Sequence, residues 1–296
     1  EKYNLADFDR IFKFQLRQTY REYLLLAEQI QYKKEFFSTY LKLMQASQIR
    51  AEKGDLSGIE YDRLDLERIA YEADYRVTEL QLIEVSQRLR KLLGIPPVNQ
   101  ILPLKGHLAF VPLSQLENLQ RKINVDQRPD LAALLAKIEQ SEATATLKRR
   151  EALPSITLGG EYRKKGSEGY LGFSVSMPLP ILNRNQGEIL KAEETSKKLK
   201  IEAQLKRREI STELQSRLRE LNTRGQMLAK YQELGLLEKN KRVAERARFA
   251  YLKKAYSIVA LLESQRNYIN IQKNYFEQLY FYYTSIDGFL AAIEGT

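Results

Sequence analysis

Few side chains in this sequence could carry chemistry, and their types narrow what that chemistry could be. The 296 residues include no cysteine and one histidine, His107. The first count excludes disulfides, thiolate metal sites and cysteine nucleophiles, and the second removes histidine ligand clusters and most histidine-based catalysis. Carboxylate chemistry stays open. His107 sits in a stretch broken by Pro103, Gly106 and Pro112, with no acidic residue in the five positions before it, so it reads as a surface histidine. Met44, Met177 and Met227 are too scattered for a soft-metal relay. Lys197-Lys198, Lys206-Arg207-Arg208 and Lys253-Lys254 raise nucleic-acid binding against a net charge of +10. Glu193, Glu194, Glu202 and Glu209 interleave most of them, as on solvated helix faces, and no nucleic-acid-binding motif accompanies them. Neither a catalytic residue, a cofactor nor a metal site is expected.

The elements that position these residues are long. Between Leu5 and Lys53 there is neither Gly nor Pro, and Phe8, Ile11, Phe12, Leu16, Tyr20, Tyr23, Leu24, Ala27 and Ile30 recur at helical steps. The run stops at Gly54-Asp55-Leu56-Ser57-Gly58. A second helix is expected from about Ile59 to Leu93, its stripe read as Leu64, Leu66, Ile69, Ala73, Val77, Leu80, Ile83, Leu89 and Leu92, ending at Gly94-Ile95-Pro96-Pro97. Residues 95–127 read as a connector, and Arg128-Pro129-Asp130 opens a helix reaching Ala152.

Residues 154–180 change period. Ile156, Leu158, Gly160 and Tyr162 alternate with Thr157, Gly159, Glu161 and Arg163; after a polar turn, Leu171, Phe173, Val175 and Met177 alternate with Gly172, Ser174 and Ser176. This is a β-hairpin with one apolar face, closed by Pro178 and Pro180. From Gln186 to about Ala255 one uninterrupted helix is expected, with Leu214, Leu221 and Leu228 seven apart and Leu218 and Tyr231 at intermediate steps; about 70 residues would span roughly 100 Å. A last helix runs from about Ile258 to Ile293 and stops at Gly295. The aromatic set Tyr268, Tyr275, Phe276, Tyr280, Phe281, Tyr282 and Tyr283 reads as interhelical packing. No run approaches a transmembrane helix.

A shift of 200 positions superimposes the first helical hairpin on the last: Lys53 falls on Lys253 and Ser57 on Ser257, with the two Gly stops one residue out of step. The second unit carries a helix and β-hairpin (131–184) ahead of its long helix. A matching hairpin is therefore expected upstream of Glu1, with about 70 residues missing from a complete first unit.

Several motifs, in this order and spacing, carry a family resemblance: Arg128-Pro129-Asp130-Leu131 at a helix start, Leu153-Pro154 before the strand, and Ser176-Met177-Pro178-Leu179-Pro180-Ile181-Leu182-Asn183-Arg184-Asn185-Gln186-Gly187 at the hairpin exit. Tyr251 to Ser257 ahead of Ile258-Val259-Ala260-Leu261-Leu262-Glu263, and Leu92-Leu93-Gly94-Ile95-Pro96, agree. The chain resembles the TolC-type outer-membrane efflux channels, and its hairpin exit is similar to the subgroup serving resistance-nodulation-division pumps for heavy metals. The resemblance implies a homotrimer whose protomers each give four strands to a shared twelve-stranded barrel and long helices to a periplasmic α-barrel. This chain supplies two strands. A lone hairpin leaves its edges unpaired in lipid, so it must join others in a closed barrel.

On that resemblance the segments are expected to be a truncated first helical hairpin of the α-barrel (1–94), an equatorial connector (95–127), a helix leading to the barrel (128–153), the outer-membrane hairpin (154–182) and a second helical hairpin (183–296). Ile156, Leu158, Tyr162, Leu171, Phe173 and Val175 would face lipid. Arg50, Gly54, Leu56 and Ser57 match an Arg-x-x-x-Gly-x-x-Ser tip pattern that meets the periplasmic adaptor (membrane fusion) protein. The second tip, Lys254, Ala255, Tyr256 and Ser257, departs by placing Lys254 at the Gly position. Glu263 matches one acidic position of a ring narrowing the periplasmic entrance, where Ala260 occupies the other, and Asp62 sits similarly beyond the first tip. The ordinary readings are a turn with a cap, and solvated helix carboxylates. The implied function is a passive duct of a tripartite efflux system in the outer membrane, with a large periplasmic extension. It would export heavy-metal cations delivered by an inner-membrane resistance-nodulation-division pump and the adaptor. The alternative is a non-channel periplasmic coiled-coil scaffold or adaptor.

Overall fold

The computed structural model describes residues 2–115, 125–179 and 183–293. Among them are six α-helices and one antiparallel hairpin: α1 (Lys2–Glu52), α2 (Gly58–Leu92), α3 (Pro129–Glu151), β1 (Thr157–Lys165), β2 (Glu168–Ser176), α4 (Gln186–Glu233), α5 (Leu236–Leu252) and α6 (Ile258–Ile293). The chain is thus mainly helical with a single two-stranded sheet, as the sequence pattern indicates. The expected turn at Pro180, with Ile181 and Leu182, lies outside the described residues, as does the expected Gly295 stop.

One expectation fails. The helix from Gln186 to Ala255 is broken at Gly235, which adopts a left-handed φ of 58°. Leu234 and Gly235 donate to the Lys230 and Gln232 carbonyls, closing α4, and the Gly235 carbonyl then accepts from Lys239 as α5 begins. A left-handed residue is a common helix stop, and glycine adopts it without the Cβ clash that other residues suffer.

The chain forms two compact units. One comprises 124–212 with the outermost terminal residues. In it α3 and the first half of α4 pack through small residues, with Ser141, Ala145, Ala192 and Ser196 buried and the Ser141 hydroxyl donating to the Ala192 carbonyl at 3.5 Å. Arg149–Glu193 and Lys200–Glu142 (both 2.6 Å) flank that seam. Buried Arg128 pairs with Asp130 at 3.1 Å just ahead of fully buried Leu131, so the Arg-Pro-Asp-Leu run anchors the start of α3.

The other unit comprises 8–123 and 213–294. Its larger core joins Tyr23, Leu24 and Leu26 of α1 to Leu82, Val85 and Leu89 of α2, Leu221 and Leu228 of α4, and Leu279, Tyr282 and Ile286 of α6. The seven-residue step in α4 is a packing stripe, although Leu218 points to solvent. The stripe read for α2 is mostly wrong. Of its residues only Leu64 and Leu89 are buried, whereas Leu66, Ile69, Ala73, Val77 and Leu80 are exposed, because α2 turns its Leu64–Thr78–Leu82–Val85 side to its neighbours.

An extended segment, 101–112, crosses this core without a β partner. Tyrosine hydroxyls satisfy its carbonyls instead: Tyr23 donates to Leu102 (2.6 Å), Tyr20 to Lys105 (2.7 Å), Tyr283 to Ala109 (2.6 Å) and Tyr282 to Val111 (2.8 Å). Ser86 Oγ and Glu28 accept the Leu102 and Leu108 amides. Buried backbone groups need partners, and these side chains supply them. Gly106 has a φ of 144°, and a Cβ there would collide with the Tyr20 hydroxyl.

A second core joins Phe36, Tyr40, Leu43, Met44, Leu56 and Leu64 to Tyr251, Ile258, Leu261 and Leu262. Burial pushes the Tyr40 and Tyr71 hydroxyls above the ordinary tyrosine range. A folded-state pKa above the unfolded value contributes stability below pH about 10 that is lost as pH rises further. Alkaline unfolding followed by circular dichroism should therefore begin above pH about 10, with Tyr71→Phe moving its midpoint upward; an unmoved midpoint contradicts this. Gly106→Ala should cost about 1–3 kcal/mol in chemical denaturation, because left-handed strain adds to a displaced Tyr20 hydroxyl; Tyr20→Phe, which removes only the hydrogen bond, should cost less.

Candidate functional site

The two helix–helix turns have the same backbone wiring, 200 residues apart. In the first, Lys53, Gly54 and Asp55 donate to the carbonyls of Ile49, Ala51 and Arg50; in the second, Lys253, Lys254 and Ala255 donate to those of Phe249, Tyr251 and Ala250. Each is a helix stop through a left-handed residue, Gly54 with φ 74° and Lys254 with φ 60°. Ser57 Oγ accepts from the Glu60 amide at 3.3 Å while Glu60 returns to the Ser57 amide at 3.2 Å, a complete capping box. Ser257 Oγ accepts from the Ala260 amide at 3.2 Å, a cap without the returning carboxylate. The serines expected at the tips are thus cap residues at the same turn position in both.

The tips touch each other. Lys254 Nζ lies 2.7 Å from Asp55 Oδ1. Arg50 reaches the other way, donating to the Tyr251 carbonyl at 3.4 Å and lying 5.0 Å from the Tyr251 ring centre. Leu56 is buried in the shared core, whereas Ala255 and Tyr256 are exposed. The hydrogen bond from Lys254, and then its charge, hold the Asp55 carboxyl below its ordinary value. A depressed carboxylate pKa contributes stability above the unfolded value that is lost as pH falls through the folded one, so this link holds at neutral pH.

Just beyond the turns, Glu263 lines an open cleft of about 640 Å³ with Arg63, Leu66, Glu67, Arg266 and Asn270. Arg266 bonds Glu67 across it. Asp62 is exposed on α2 and does not line this cleft. The carboxylate thus shares its cleft with two arginines, which the sequence pattern does not reveal. Asp55, Glu67 and Arg266 are likewise not among the candidate residues of the sequence pattern, which relates the two tips only through the 200-residue offset and the tip motif.

The hairpin pairs Leu158 with Val175, Gly160 with Phe173 and Tyr162 with Leu171. Directly paired residues share a face, so Leu158, Tyr162, Leu171, Phe173 and Val175 form one apolar side, all exposed, with Phe173 at 83%. Thr157, Glu161 and Arg163 lie on the other with Ser174 and Ser176. Ile156 corrects the expectation: it precedes β1, because the ladder stops at Thr157–Ser176 and Pro178 follows close behind. His107 is 82% exposed and lies 3.1 Å from Glu28, a carboxylate 79 residues away in sequence.

The same order of elements appears in known structures. A crystal structure of CusC, described in terms of transmembrane channel formation, covers 100% of this chain with a TM-score of 0.82, over 71% of its own length, at 17% identity. The outer-membrane channel OprN gives 0.83 over 100% of this chain and 68% of its own, at 14% identity. This chain has the fold of these outer-membrane channels. In sequence, the cobalt-zinc-cadmium resistance protein CzcC of Cupriavidus metallidurans is 25% identical over 150 residues, half of this chain. The match spans about a third of that curated relative, 35% of its length. No protein-family model matches the chain. The channel fold thus accounts for the helical hairpins and the β-hairpin, and no described helix is long and apolar enough to cross a membrane.

The strained backbone at Lys254 gives a direct test. Lys254→Ala keeps the left-handed strain and loses the Asp55 link, whereas Lys254→Gly loses the link and relieves the strain. Lys254→Gly should be more stable than Lys254→Ala by about 1 kcal/mol in thermal denaturation. Equal stability would mean that the left-handed residue carries no cost here.

Proposed function

We propose that this chain belongs to the outer-membrane component of a tripartite efflux system, a passive trimeric duct. It exports substrate from an inner-membrane resistance-nodulation-division pump through a periplasmic adaptor. The observation that carries this reading is the hairpin whose apolar face is entirely exposed. Two strands offer that face no cover in water, and their free edges demand further strands. A closed barrel in lipid answers both needs, and its polar face then lines water. A coiled-coil scaffold has no use for such a face.

In this reading Leu158, Tyr162, Leu171, Phe173 and Val175 face outer-membrane lipid, with Ile156 at the rim, and the helices extend into the periplasm. The tips, Arg50, Gly54 and Ser57 with Lys254, Ala255, Tyr256 and Ser257, meet the adaptor, while Leu56, buried in the shared core, packs beneath them. Glu263 and Asp62 line the periplasmic entrance. The likeness to a cobalt-zinc-cadmium resistance protein favours heavy-metal cations as cargo. Carboxylates repeated by threefold symmetry would attract cations, and the duct itself needs no tight metal site.

Purified full-length protein in detergent should image as a threefold hollow particle, and cells lacking their own channel should regain metal tolerance when it is supplied with pump and adaptor. Phe173→Arg should cost about 2–4 kcal/mol of barrel stability at mid-bilayer depth and abolish membrane assembly. Glu263→Gln should leave assembly intact and weaken cation preference in bilayer conductance. A monomeric or dimeric particle without a hollow end, extracted without detergent, would overturn the duct reading.

A further inference from the structure

One side of the β-hairpin is apolar along its length except beside its turn. Residues sharing that side in the ladder are Leu158 with Val175, Gly160 with Phe173, Tyr162 with Leu171 and Lys164 with Gly169. Lys164 is the one charged residue among them. The opposite side is mixed. Glu161 pairs with Arg163 at 2.5 Å, the Tyr170 hydroxyl donates to Glu168 at 2.6 Å, and Lys165 stands opposite Glu168 in the ladder. Each cation there has a carboxylate on its own side. Lys164 has none, and among the described residues it makes neither a hydrogen bond nor an ion pair.

A Cβ on Gly169 would lie 2.9 Å from the Tyr162 hydroxyl. The Tyr162 ring therefore lies across Gly169, the ladder partner of Lys164, and brings its hydroxyl to the same patch. That hydroxyl also lacks a partner among the described residues. An ammonium and a phenol thus share a floor that any larger side chain at position 169 would fill.

The geometry points to a binding site for the phosphate of a lipid headgroup, made by Lys164 and Tyr162 on the outer rim of the barrel. The inference rests on the duct reading, which puts this side of the hairpin in lipid. The nine residues of β1 rise about 20 Å at ~3.3 Å each and a tilt near ~40°, close to the height of a barrel's apolar band. Lys164, one residue from the end of β1, therefore emerges at headgroup level. Since α3 and α4 flank the strands at their other ends, this rim lies in the leaflet away from the periplasm. A charge in hydrocarbon is costly, so the lysine lays its stem along the apolar side and carries its ammonium to the headgroups. There phosphate is the matching anion, and both the ammonium and the Tyr162 O–H can donate to its oxygens.

The test uses full-length trimer, stripped of lipid in detergent, with diphosphoryl lipid A as the probe and native mass spectrometry as the readout. Lys164→Gln should lower the retained lipid by about three molecules per trimer, one for each symmetry-related hairpin, and Lys164→Arg should keep it. Tyr162→Phe should weaken retention about fivefold, the effect of one lost hydrogen bond. Lys165→Gln, on the opposite side, should change nothing. Unaltered retention in Lys164→Gln, or an equal loss in Lys165→Gln, would overturn the proposal. Equal retention of the same lipid after its phosphates are removed would also overturn it. Displacement by an excess of inorganic phosphate would mark a site for the free anion and reject the lipid. A wild-type chain that yields no detergent-bound trimer would sink the duct reading instead, before any variant is compared.

Discussion

Long helices with narrow apolar stripes do not hold themselves up; each must lay its stripe against a neighbour along much of its length. Here α1 is the common partner, meeting α2 on one side and α6 on another, with α4 and α5 completing the packing. Tyrosine rather than leucine fills many of the contact positions, and every buried tyrosine brings a hydroxyl that needs an acceptor. Tyr40 finds one on the Leu64 carbonyl of α2 at 3.1 Å. Tyr20, Tyr23, Tyr282 and Tyr283 find theirs on the extended connector, so the same residues that fill the seam also fix a segment with no sheet of its own. Apolar packing supplies the bulk of the adhesion, and the hydroxyls determine which backbone lies where.

This division explains what could be read in advance. Gly and Pro punctuation, together with a period near 3.6 or 2, placed the helix ends and the hairpin because those are local properties. Gly235 was visible as a residue but not as a break, since an isolated glycine inside a helical pattern is often tolerated. The α2 stripe was mostly misread because apolar residues lie on two of its faces, and only tertiary packing chooses between them. The ion partners were illegible for a plainer reason. Asp55 and Lys254, Glu67 and Arg266, and Glu28 and His107 are far apart in sequence, and no local rule joins them.

The candidate tips illustrate how a repeat diverges around a fixed frame. Their backbone hydrogen bonds are the same bond for bond, and each ends in a serine cap, yet the side chains have separated into complementary roles. One tip offers a carboxylate and an arginine, the other an ammonium and an aromatic ring. A TM-score of 0.82 at 17% identity to a solved channel structure makes the same point on a larger scale. The path of the backbone persists while most letters change.

The contact between the tips also sets a rule of inheritance. Asp55 meets Lys254 only because both hairpins reach the same height above their shared core. Removing one heptad from each arm of a single hairpin would lower its tip by about 10 Å, far beyond any side chain's reach. Insertions and deletions in these arms are therefore tolerated only in matched pairs, and descendants of this chain should lengthen or shorten their two hairpins together.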